Sequence, residues 1–100
     1  MIIYNVTVNV DNSVQKEWLE WMQQIHIPEV LETGMFTENR ILRLIGDEDS
    51  GGTTYAIQYT APDMAHYIRY RDEFAPRLQK SAMDKFGDKF TAFRTLLETV

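Results

Sequence analysis

Cysteine is absent from the 100 residues, so disulfides, thiolate nucleophiles and cysteine-based zinc sites are all excluded. Basic residues are scarce as well. Ten Lys and Arg stand against 15 Asp and Glu, giving a net charge of −5 and a pI of about 4.9. That balance argues against a nucleic acid or an anionic membrane as partner, because phosphate binding needs a concentrated basic surface. No apolar run approaches the ~20 residues that span a bilayer. The opening Met1-Ile2-Ile3-Tyr4 has no basic stretch before it turns polar at Asn5, Thr7 and Asn9, so no secretory signal is read there and a cytoplasmic location is expected. Ser–His–Asp spacing, a glycine-rich phosphate loop and a paired acid–base carboxylate set are all missing.

What is present is an ordinary globular composition, with 44% apolar, 12% aromatic and 25% charged residues. A chain of this length suits one domain over residues 1–100. Residues 2–10 alternate Ile2, Tyr4, Val6, Val8 and Val10 against Ile3, Asn5, Thr7 and Asn9, a period of two that predicts a strand. Asn12 and Gln15 are spaced as a capping pair. Val14, Trp18, Trp21, Met22 and Ile25 then follow at helical spacing. Pro28 is expected to stop or bend this helix by driving Ile27 out of the helical region, leaving residues 28–33 as a short extra turn. A second strand is expected over residues 36–45, a polar hairpin loop over 46–52 and a third strand over 53–60. Thr60 and Asp63 suggest a capping box with Pro62 in the first turn. The helix they start carries Met64, Tyr67, Ile68, Phe74, Leu78 and Ala82, with a kink at Pro76 and closure at Gly87. Residues 90–100 complete the pattern as a fourth strand.

The order βαββαβ predicts an α+β, ferredoxin-like domain: a four-stranded antiparallel sheet with two helices on one face. Two helices cover one side of such a sheet, yet the second and fourth strands carry apolar residues on both faces. A homodimer with the two sheets facing each other is therefore expected. Asn5, Thr7 and Asn9 on that face imply a wet interface.

Tyr4-Asn5-Val6-Thr7, Trp18-Leu19-Glu20-Trp21-Met22 and His26-Ile27-Pro28-Glu29-Val30 resemble a family of short proteins known only as a domain of unknown function. The resemblance runs from the first strand to Leu96-Leu97-Glu98. It implies the dimeric α+β barrel superfamily, which includes cofactor-independent monooxygenases, haem-degrading enzymes, isomerases and ligand-sensing domains. A shared fold fixes no activity. The resemblance carries over no catalytic residue and assigns no cofactor.

Chemistry concentrates on few residues. His26 lies at the edge of the apolar stripe beside Met22 and Leu19, where a neutral imidazole would serve as a general base or an axial ligand. The alternative is a histidine that satisfies a backbone carbonyl at a helix end. In this topology the end of the first helix and the start of the second share one end of the molecule, which brings His66 near His26 in height. Asp63 with His66, and His26 with Glu29, form a mixed nitrogen and oxygen donor set, but Asp63 is needed as a cap and Pro28 disturbs the other pair, so no metal is assigned. Trp18, Trp21, Tyr4, Tyr55, Tyr59, Tyr67 and Phe74 should converge between helices and sheet. Of these, Tyr4, Trp18, Trp21, Tyr55 and Tyr67, with Met22 and His66, are the expected ligand-binding residues, with tyrosine hydroxyls as orienting groups. Arg94 is open to a salt bridge, a partner subunit or a substrate carboxylate.

Three functions of different classes follow: a homodimeric module that binds an apolar or aromatic small molecule in the helix–sheet cleft, an oxygenase- or isomerase-like enzyme using His26, and a structural protein with a filled core.

Overall fold

In β1 (Ile2–Asp11), β-branched and aromatic side chains at even positions bury one face of an extended chain. The strand takes the interior of a four-stranded antiparallel sheet of order β2-β3-β1-β4, with β2 at Glu38–Arg43, β3 at Gly52–Ala61 and β4 at Phe90–Glu98. The computed structural model describes residues 1–46 and 51–100, so the centre of the expected acidic hairpin loop lies outside the described residues. Pairing places Tyr4 between Tyr59 and Leu96, and Val6 between Ile57 and Arg94. One face of the sheet therefore carries Tyr4, Val8, Tyr55, Ile57, Tyr59, Ala92 and Arg94, and the helices pack on that face. The fold is ferredoxin-like.

Helix α1 (Gln15–Trp21) runs into a π-turn (Met22–His26) and on through α2 (Ile27–Glu32). Pro28 does not stop this helix, contrary to the sequence expectation. Ile27 stays helical at φ −60°, ψ −45°, and its N–H reaches back five residues to the Met22 carbonyl. The extra residue in the turn gives room where a proline ring would otherwise strike the carbonyl four residues earlier. His26 is thereby held inside a continuous helical segment instead of at its end. The start differs too. Val14 occupies the N-cap without a side-chain bond. Asn12 accepts instead from the Thr53 hydroxyl at 2.8 Å, and Gln15 donates to the Tyr55 hydroxyl.

Strand β2 is shorter than expected. Phe36 leaves the strand for the core, and backbone bonds from Thr37 to Thr60 and from Leu44 to Thr54, both 2.8 Å, flank its ladder. Arg40 bonds to the Gln58 side chain at 3.0 Å.

Thr60 remains in β3, so no capping box forms there. Asp63 alone is the N-cap of α3 (Met64–Glu73), accepting the His66 N–H at 2.9 Å, and Pro62 precedes the helix. The second helical arm breaks at Phe74 (φ −121°) instead of at Pro76. Pro76 sits in the first turn of α4 (Ala75–Phe86), where its missing N–H costs nothing. Gly87 closes α4 at φ 56°, a left-handed conformation suited to glycine.

The core is aromatic. Tyr4 is its hub, with ring centroids 5.3 Å from Tyr67, 5.7 Å from Tyr70, 5.9 Å from Tyr59 and 6.0 Å from Phe36. Trp18 lies 5.1 Å from Tyr55 in a separate pair. Among the described residues, the other sheet face carries no helix. By register it holds Leu42 from β2, Ile3 from β1, and Phe93 and Leu97 from β4, with Phe93 62% exposed. Polar side chains interleave: Asn5 donates to Thr7 at 3.1 Å and accepts from Gln58 at 3.3 Å. Among the described residues no helix is long and apolar enough to cross a membrane.

Candidate functional site

A cavity of about 470 Å³ opens between the helical layer and the β1–β4 half of the sheet. Residue size explains why space remains there. On the helix-facing side of β4, Ala92 is small and Arg94 is exposed, so neither fills the space, and α4 contributes Gln79 and Ala82. The walls are Val6, Val8, Ile57, Trp18, Met22 and Met83, with polar groups from Tyr4, His26, Gln79 and Arg94. Size and lining suit a small apolar molecule oriented by a few polar contacts.

His26 is fixed by its neighbours. Its ring stacks on Trp21 with centroids 4.9 Å apart at 26°, and Trp21 is braced edge-on by Phe86 at 5.5 Å. The imidazole Nδ1 is buried and makes no hydrogen bond among the described residues. Burial, helped by the positive charge of Arg94, lowers the His26 pKa from 6.5 to about 4, so the ring is neutral near pH 7. A buried polar nitrogen without a partner carries a desolvation cost that a ligand group would relieve.

Across the cavity, the Arg94 Nε donates to the Tyr4 hydroxyl at 3.1 Å. Burial pushes the Tyr4 phenol pKa up, with Arg94 opposing, and burial likewise raises Tyr59 and Tyr70. These phenols stay protonated and act as neutral hydrogen-bonding groups.

Of the residues expected from sequence, Tyr4, Trp18, Met22 and His26 line this one space. Trp21, Tyr55 and Tyr67 stand behind it, each packed on a neighbouring ring: Trp21 on His26, Tyr55 on Trp18 and Tyr67 on Tyr4. His66 takes no part. Its Nδ1 is held by Asp63 at 2.7 Å on the exposed start of α3. Among the described residues, no group of three or more His, Asp or Glu side chains could hold a metal ion. Gln79, Tyr59, Tyr70 and Met83 also line the cavity. Arg94, left open between several roles by the sequence, takes its place from the alternation Phe90, Ala92, Arg94, Leu96, which puts it on the helix-facing side of β4.

Fold and cavity together define a small α+β domain with one open sheet face and a pocket beneath its helices. The chain belongs to the DUF4286 family, a domain of unknown function whose model matches residues 1–100. A comparison with curated proteins finds no match. Solved structures show the same fold at low identity. An ethyl tert-butyl ether d (EthD) family protein from Bacillus halodurans shares 15% identity at a TM-score of 0.68, with all of each chain covered. A dimeric ferredoxin-like protein from an uncultured marine organism shares 13% at 0.62, covering 99% of this chain and 96% of that one. The hydroxynitrile lyase of Passiflora edulis shares 12% at 0.61, covering 99% and 95%.

Proposed function

We propose that this protein is a homodimeric module that binds an apolar or aromatic small molecule in the cavity between its helices and sheet. The observation that carries the reading is a space of about 470 Å³, walled by Trp18, Met22, Ile57 and Met83, into which His26, Gln79, Tyr4 and Arg94 bring polar groups. A concavity of this size, mostly apolar and with a few converging polar groups, has the form of a small-molecule site. The test is NMR titration with neutral bicyclic aromatics such as 2-naphthol and 2-naphthamide. Shifts confined to Trp18, Met22, Ala82 and Met83, abolished by the cavity-filling Ala82→Trp, are expected. If neither compound perturbs these signals, the reading is wrong.

The unpartnered Nδ1 of His26 favours a second reading, in which the imidazole acts on the bound molecule. Bound compounds recovered unchanged from wild type support a binding role. Conversion by wild type, lost in His26→Ala with affinity retained, transfers the assignment to catalysis.

Self-association rests on the open sheet face. Phe93, Leu97 and Leu42 are 62%, 49% and 42% exposed there, beside the Asn5–Thr7–Gln58 polar ladder. A second copy seated sheet to sheet would bury both sets, and the dimeric state of the similar marine protein supports self-association. Light scattering should report a dimer at micromolar concentration, and Leu97→Lys a folded monomer. A monomeric wild type would contradict it.

A further inference from the structure

The polarity of the cavity has one sign. Arg94 is its only charged lining residue among those described, and no Asp or Glu side chain reaches its wall. The ion pairs of the described residues lie elsewhere, on exposed helix surfaces: His66 with Asp63, Arg69 with Glu73, Arg71 with Asp72, and Lys80 with Asp84. Arg94 forms none. Its Nε is occupied by the neutral Tyr4 hydroxyl at 3.1 Å, which fixes the plane of the guanidinium. The two terminal nitrogens donate to no protein group among the described residues. Its neighbours on the same sheet face are Val6, Ala92 and Leu96. Arg94 is an exposed residue at the mouth of the cavity, and in a chain carrying five more acidic than basic residues a cation that faces the Tyr4 hydroxyl and no acidic side chain is placed to meet an entering anion.

We propose that the ligand of this cavity is an aromatic carboxylate, its carboxylate docked on the terminal nitrogens of Arg94 and its ring between Trp18, Met22 and Met83. The proposal rests on the cavity-binding reading above and adds the chemical class. A guanidinium presents parallel donors that match both oxygens of a carboxylate. His26, neutral, and Gln79 then meet the polar edge of the same molecule without adding charge.

The discriminating experiment uses 2-naphthoate and 2-naphthamide, nearly equal in shape and differing in charge, titrated into wild type, Arg94→Gln and Arg94→Lys by calorimetry. Circular dichroism checks that each variant is folded. Wild type should bind the carboxylate several-fold tighter than the amide, because only the carboxylate pairs a full negative charge with the guanidinium. Arg94→Gln should erase that preference by weakening the carboxylate far more than the amide, while Arg94→Lys retains part of it. Equal binding of the two by wild type, or equal weakening of both by Arg94→Gln, would overturn the carboxylate assignment and leave the cavity reading intact. Absence of binding by either compound would overturn both.

Discussion

Trp18→Ala should destabilise the protein by about 3–5 kcal/mol, the cost seen when a fully buried large aromatic is truncated. Trp18 is 1% exposed and stands at the junction of two structural regions. One side of its ring packs 5.1 Å from Tyr55 on β3, and another forms a wall of the cavity. Truncation would join the lost ring volume to the existing space, and the neighbours within reach of it are held elsewhere. Tyr55 is bonded to Gln15, and Met22 sits in the π-turn that carries the chain past Pro28. Domains of this size are stable by about 5–15 kcal/mol, so the loss is a large fraction of the whole. Urea unfolding followed by circular dichroism would measure it. A change below about 1 kcal/mol would mean that Trp18 rests against a solvent-filled void and not against a packed wall.

The sequence made much of this arrangement legible, and the reasons are local. Five apolar residues at even positions from Ile2 to Val10 can be satisfied only by a strand with one buried face, and β1 is that strand. Order and handedness then leave few topologies for βαββαβ. The features that depart from the sequence pattern depend on contacts distant in sequence. Asn12 and Gln15 have the spacing of a helix cap, but Thr53 and Tyr55, forty residues away, compete for the same side-chain groups and win. Pro28 ordinarily ends a helix. Here a single wide turn absorbs it, and the burial of Ile27 and Val30 on the far side holds the helix together. The break at Phe74 instead of Pro76 follows from proline's preference for a first turn, a preference that the hydrophobic stripe alone did not reveal.

The site was legible in part for a related reason. Trp18, Met22 and His26 lie four residues apart, so helical spacing puts them on one face whether or not a cavity exists beneath them. Residues from different elements needed the register. Arg94 acquires its meaning only when β4 pairs with β1 so that it lies opposite Val6 and within reach of Tyr4. Trp21 and Tyr67 have the composition of ligand contacts but stack behind the wall, because a ring of that size buries best against other rings. Trp21 instead orients the histidine that faces inward.

His26 should also make stability fall as pH drops, and its window is distinctive. In the unfolded chain the imidazole takes up its proton near 6.5, whereas burial and the Arg94 charge hold the folded value at about 4. Above 6.5 the ring is neutral in both states and the fold has its full stability. Between 6.5 and about 4 the unfolded chain binds a proton that the folded chain refuses, so stability is progressively lost. Below about 4 both states are protonated and this contribution levels off. The total comes to the order of 3 kcal/mol at 1.36 kcal/mol per unit. Three carboxylates with lowered pKa values, Asp11, Asp63 and Asp72, lose their folded-state advantage only as pH falls below the ordinary carboxylate range. The two effects therefore separate along the pH axis. Urea unfolding of wild type and His26→Gln from neutral pH to about 4.5 should show a falling difference that belongs to the histidine alone, and an NMR titration of the imidazole should place its midpoint far below 6.5. Parallel pH profiles for the two proteins, with an imidazole midpoint at the ordinary value, would show that water reaches Nδ1 and that the cavity is wetter at His26 than its apolar walls imply.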